Sequence, residues 1–244
     1  NAIQFKLKYP LIKASDPYNL YALTGKNFGN YSFDYSYTHK NMHFFGEAAI
    51  TDKRYLAVVN GLLISVANSV DMSFFYRNIS KGYQSLYADA FTENTYPTNE
   101  KGMFAGITIR PHINWRIDAY FDIYRFPWLK YRVNAPSDGK DYFLQLYFRP
   151  NKQVEIYTRY KMESKYINFN PNQLTISPVL AQPKKNWRTY FSYALNTMFT
   201  FRSRTEIVWF DKNGEAAEQG FLIAADLLYN PIMKPYSANV RLQY

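Results

Sequence analysis

Cysteine is absent from the chain, which removes disulfide frameworks, thiolate metal centres and thiol nucleophiles together. Glycine and proline are scarce, 10 and 12 among 244 residues, which argues against a low-complexity chain. Histidine occurs only at His39, His43 and His112, each beside a predicted turn. No G-x-S-x-G, HExxH or paired metal-ligand spacing is present, and no glycine-rich loop is built to cradle phosphate. The sequence therefore predicts no enzyme, no metal site and no cofactor. Long apolar runs are missing as well. The most apolar stretch, Leu56–Ala67, is interrupted by Asn60, Gly61 and Ser65 and is too short for a membrane-spanning helix. The chain opens on neither Met nor a basic-then-apolar leader, which predicts a processed protein or part of a longer one.

What is abundant points to strands. Tyr (24) and Phe (19) crowd the sequence, and aromatic residues favour sheets. Between Ile113 and Tyr124 the odd positions are Ile113, Trp115, Ile117, Ala119, Phe121 and Ile123. The even positions are Asn114, Arg116, Asp118, Tyr120, Asp122 and Tyr124. A period of two puts successive side chains on opposite faces of a strand, so this stretch has an oily side and a wet side. The same alternation recurs along the chain, from Gln4–Tyr9 and Asn30–His39 to Tyr236–Tyr244. It predicts an all-β chain of about 12–14 antiparallel strands in up-and-down order, with no helix.

The expected strands are longer than the five or six residues common in soluble sandwiches and suit a tilted crossing of a bilayer. Connections alternate between short turns and long loops near residues 78–100, 125–140, 164–185 and 211–218, the asymmetry of outer-membrane barrels. Tyr9, Tyr55, Phe126, Trp128, Trp187, Trp209 and Tyr229 stand near expected strand ends, as interfacial girdles require. A mean hydropathy of −0.41 is compatible with such a barrel, because its strands average oily and wet faces. Residues 1–244 thus read as a transmembrane β-barrel of a Gram-negative outer membrane, or a segment of a larger one. An odd strand count favours the segment, since single-chain bacterial barrels have even numbers. Its expected partners are outer-membrane lipid and lipopolysaccharide, with other envelope proteins as further candidates and no nucleic acid.

The polar parity carries the candidate functional residues. Arg116, Asp118, Asp122, Glu155, Arg159, Lys161, Arg188, Arg202, Arg204, Glu206 and Asp226 all fall on the wet side of their strands. They are expected either to pair and stiffen the interior or to line a charged channel. The net charge of +10 permits an anionic partner, but much of it is expected in turns, at Lys81, Lys184, Lys185 and Lys212 among others. The connection Asn78–Glu100 carries Gly82, Tyr83, Tyr87 and Phe91 and is expected to plug the interior, cap a partner surface or pack over the rim.

The runs Phe74-Phe-Tyr-Arg77, Gly82-Tyr83, Ala88-Asp-Ala-Phe91 and Phe126-Pro-Trp-Leu129 resemble the large outer-membrane β-barrels of Bacteroidota that carry a periplasmic helix-hairpin-helix region. The resemblance implies a longer parent with an N-terminal helical region and with further strands after Tyr244. It also implies handling of DNA at the envelope, which attaches to no residue of this chain. Two functions follow: a transport channel, or a scaffold barrel with a plugged interior in an envelope complex. A soluble basic β protein binding nucleic acid or glycan is the distant alternative, and it predicts steeply salt-dependent binding.

Overall fold

The computed structural model describes residues 1–169, 178–211 and 218–244. Among them the chain forms thirteen strands. These are β1 (Ala2–Leu11), β2 (Gly25–His39), β3 (Met42–Thr51), β4 (Leu56–Ala67), β5 (Val70–Ile79) and β6 (Glu100–His112). They continue as β7 (Trp115–Phe126), β8 (Ser137–Phe148), β9 (Val154–Asn168), β10 (Val179–Ala194), β11 (Phe199–Phe210), β12 (Glu218–Tyr229) and β13 (Ala238–Gln243). The only helical element among the described residues is one 3-10 turn, Pro17–Asn19. Every strand pairs antiparallel with the next, in one sheet of order β1 to β13. The all-β, up-and-down arrangement and the strand count agree with the alternation read from the sequence.

Register shows why the sequence folds this way. Directly paired residues in an antiparallel ladder point to the same side of the sheet. The row Arg77↔Gly102↔Tyr124↔Gly139 therefore shares one face, as does Asp122↔Asp141↔Glu163↔Lys184. Following these rows puts every polar-parity residue on one face. The other face carries Phe33, Ile50, Met103, Phe121, Leu144, Trp187, Phe221 and Leu227. That apolar face is open: Phe33 is 72% exposed, Leu144 52% and Phe221 51%. The closed core is small and lies on the polar side, where Ala49, Ala57 and Ile79 pack against Tyr83 and Tyr55. A sheet with its oil outside and its core under a loop is the inverse of a soluble sandwich.

The sheet curls with its polar face inside. The connection 80–99 lies on that face and bridges distant strands: the Tyr87 ring meets Phe5 of β1 at 5.5 Å, and Glu93 pairs with Lys165 of β9 at 3.1 Å. Those strands stand eight spacings apart, about 38 Å in a flat sheet, and are joined by a six-residue step of at most about 21 Å together with the reach of four side chains and the bend of the sheet. Closure of the sheet on itself is not seen among the described residues, where β1 pairs with β2 alone and β13 with β12 alone. With an odd strand count β1 and β13 run in the same direction, so a direct seam between them would be parallel.

Several expected boundaries shift. The loop placed at 125–140 narrows to residues 127–136, because β8 begins at Ser137. The loop placed at 164–185 is mostly strand at its ends, since β9 runs to Asn168 and β10 starts at Val179. Pro183 is accommodated within β10, where its carbonyl accepts the Asp211 N–H at 3.1 Å. Lys184 and Lys185 consequently lie in a strand rather than a turn, and Trp187 lies well inside β10. Residues 170–177 of that expected loop, and Lys212 with 213–217 of the next, fall outside the described residues. The aromatic girdle also divides: Trp209 and Tyr229 sit on the apolar face, whereas Phe126 turns to the polar face and is buried.

Candidate functional site

Arg77, near the end of β5, and Glu100 are the most buried charges among the described residues, both fully enclosed. The Arg77 Nε donates to Glu100 Oε1 at 2.5 Å, and its two terminal nitrogens hold both Asp122 oxygens at 3.0 Å each. This planar, two-pronged grip is the geometry guanidinium supplies and ammonium does not. The side chain lies flat across Gly102, where a Cβ would stand 2.5 Å from its Cζ. Phe91 and Tyr124 cover it from 5.5 and 5.7 Å. Glycine at that position is thus a requirement of close approach.

Glu100 also accepts backbone N–H groups from Glu93 and Asn94, all at 3.0 Å. One carboxylate therefore fastens the connection 80–99 down onto the sheet. The Phe91 ring completes the attachment, edge-on to Phe75 at 5.2 Å and to Phe104 at 5.3 Å. The connection packs on the polar face of the sheet, over β5 and β6. Tyr83 is buried beneath it, and loss of solvent raises its hydroxyl above the ordinary tyrosine range, with Glu47 adding to the shift.

Asp122, Asp141 and Glu163 are direct neighbours across β7, β8 and β9. Like charges placed opposite one another are destabilising. Cations on three sides offset them. Arg77 takes Asp122, Lys161 stands 3.4 Å from Asp141, and Lys165 reaches Glu163 at 2.6 Å and Glu93 at 3.1 Å. The result is a continuous charged belt running from β5 to β9 under the loop.

All eleven charges expected on the wet parity do share the polar face. They do not form one cluster. Arg116 pairs with Asp118 at 2.9 Å, and Asp118 accepts a hydrogen bond from Thr108. Arg188 holds Glu206 at 2.7 Å, with Asn186 adding a hydrogen bond at 2.5 Å. Asp226 is held by Arg241 at 2.6 and 3.0 Å. Arg202, its register partner, makes no ion pair among the described residues, and neither do Glu155 and Arg159. Arg159 instead faces Arg188 directly across the ladder. A cavity of about 430 Å³ opens there, lined by Arg159, Lys161, Lys184 and Arg188 against Glu163 and Glu206.

The deepest part of the site was not in the expected set. Arg77 carries the right parity in the sequence and Asp122 belongs to the expected set, but the sequence pattern places Glu100 at the end of a loop. The usable signal was Gly102, two residues after Glu100 on the same face and opposite Arg77. The expected histidines contribute little: His43 exchanges a hydrogen bond with Thr38 at 2.7 Å near the short turns.

At the loop end, the connections 12–24, 80–99 and 127–136 meet. Trp128 Nε1 donates to the Pro17 carbonyl at 3.3 Å, and Asn99 binds the Trp128 backbone in both directions, at 3.0 and 2.8 Å. Tyr21 and Trp128 meet edge-on, and Lys81 Nζ stands 4.4 Å from each of their ring centres. Lys130 lies 3.3 Å over the Phe126 ring, and burial holds its ammonium down to about 8.

No protein-family model matches the chain, and neither does any curated protein.

Proposed function

We propose that this chain is the wall of an outer-membrane β-barrel that passes small, preferentially anionic solutes along its polar face. The observation that carries the reading is the separation of faces in the register: eleven expected charges on one side, exposed Leu, Ile, Phe and Trp on the other. An apolar face of this extent, with no protein layer on it among the described residues, suits hydrocarbon as its solvent. On β7 it runs from Trp115 to Ile123, eight steps of about 3.4 Å, which at a tilt near 40° is about 21 Å of height. Charges on this face, Lys101, Arg125, Asp138 and Lys140, gather at the loop end, where a headgroup layer would receive them.

The anion preference rests on the interior between β9 and β11. Among the described residues Arg159 and Arg202 form no ion pair there, Asp226 opposite Arg202 being held by Arg241, and the adjoining cavity has more cations than carboxylates. Reconstitution into planar bilayers tests this directly. Chloride-selective conductance that weakens on Arg159→Gln and Arg202→Gln supports the reading, and a protein extracted by neutral buffer without detergent refutes it.

A second reading is favoured by the connection 80–99, a scaffold barrel whose interior is closed. Phe91 seated between Phe75 and Phe104, with Glu100 pinning the loop backbone, supports it. An electrically silent but stably inserted protein would select this reading over transport.

A further inference from the structure

We infer that the cavity where the three loop connections meet is a binding site for an acidic sugar, its anionic group held by Lys13, Lys81 and Lys130 and its ring faces by Trp128, Tyr96 and Tyr131. The cavity measures about 400 Å³, within the range of small-molecule sites. Three lysines line it and no carboxylate does, among the described residues. None of the three has an ion-pair partner there, in contrast to the polar face, where most cations are matched. Glu100 and Glu93 act on Lys130 only from outside the cavity, and a recess whose own charged lining is all ammonium is a place for an anion.

The walls are built before any ligand arrives. Gln84 donates to the Tyr21 carbonyl at 3.1 Å, Asn94 to the Thr98 carbonyl at 2.7 Å, and Asn99 is locked to Trp128. These amides are used up in lacing the connections together, so the lysines and rings are what remains to meet a solute. Tyr96 and Tyr131 are 64% and 68% exposed. Large flat rings left open around a recess offer their electron-rich faces to the C–H faces of a sugar. Tyr131 is steadied by an edge contact with Tyr18 at 5.9 Å. The site lies beyond the strands and does not depend on whether the sheet conducts solutes. Burial lowers the Lys130 ammonium, and an anion standing beside it would favour its charged form.

Calorimetric titration of the full chain in detergent tests the assignment, with glucuronic acid, glucose 1-phosphate, glucose and inorganic phosphate as probes. Binding of either acidic sugar, with glucose and phosphate weaker by about tenfold or more, is the expected result. Which acidic sugar binds better tells a carboxylated source from a phosphorylated one. Lys81→Met and Lys130→Met should each weaken it by about tenfold with the circular dichroism of the sheet unchanged. Lys13→Gln, on the exposed chain before Asp16, gives the same test where an inner variant fails to fold. Phosphate binding as well as glucose 1-phosphate, glucose binding as well as glucuronic acid, no heat with either acid, or variants that bind normally would each overturn the assignment.

Discussion

Replacing Arg77 by Met removes the one cation paired, among the described residues, with the buried carboxylates Glu100 and Asp122, and the structure says how the loss divides. Glu100 keeps three hydrogen bonds from the backbone of Glu93 and Asn94. Asp122 keeps none, since both its oxygens are held by Arg77 alone. Breaking a buried ion pair by removing one partner costs about 3–5 kcal/mol, because the other charge is left uncompensated. Most of that penalty should fall on Asp122. The double variant Arg77→Met with Asp122→Asn should therefore recover about half of it, whereas Arg77→Met with Glu100→Gln should recover little. Urea unfolding in lipid vesicles, followed by tryptophan fluorescence, measures all three. A single-variant loss below about 1 kcal/mol, the size of an exposed pair, would refute the buried network. Equal recovery by the two double variants would refute the division between Asp122 and Glu100.

Leu144→Arg should destabilise insertion by about 2–4 kcal/mol, while Gln145→Arg, one residue along and on the other face, should be near neutral in the same unfolding assay. Phe91→Ala should loosen the connection 80–99 at a cost of about 1–2 kcal/mol for a half-exposed ring, and should raise single-channel conductance if that connection narrows a passage. Gly102→Ala should act like a mild Arg77 variant, since its methyl group takes the space of the guanidinium. Burial lowers Lys130 in the folded state to about 8 from an unfolded 10.5, so the unfolded chain binds the extra proton between those values. Stability should rise with pH through that window, and the rise should vanish in Lys130→Met.

The alternation was legible because each strand has one oily side: Ile117, Ala119 and Phe121 mark their face only by contrast with Arg116, Asp118 and Tyr120. Where both sides are polar the contrast disappears, and so did the boundaries. Ser137–Lys140 is polar on both sides, whereas Ser164–Asn168 and Val179–Lys184 hold apolar residues side by side (Tyr166-Ile167, Val179-Leu180-Ala181) without alternation; all three are strand in the structure, and the sequence pattern reads each as loop. β2 likewise begins at Gly25, ahead of the Tyr31–Tyr37 pattern that announced it. The charged belt was half visible. Parity places Arg77 and Asp122 on one face, but their meeting depends on register between β5, β6 and β7, which a single sequence does not encode locally. The loop cavity was invisible, because it is assembled from three connections separated by as many as 111 residues, the span from Pro17 to Trp128.

The central claim is that one face of this sheet meets lipid and the other meets water. The absence of cysteine makes the test simple, since single cysteines placed along β7 and β8 in reconstituted vesicles report only on themselves. Spin labels from Ile117 to Tyr124 should alternate with period two, odd positions accessible to dissolved oxygen in the bilayer and even positions to a water-soluble reagent. On β8 the parity should reverse, with Tyr142, Leu144 and Leu146 on the lipid side. Uniform water accessibility, or an alternation that does not switch parity between the two strands, would contradict the account.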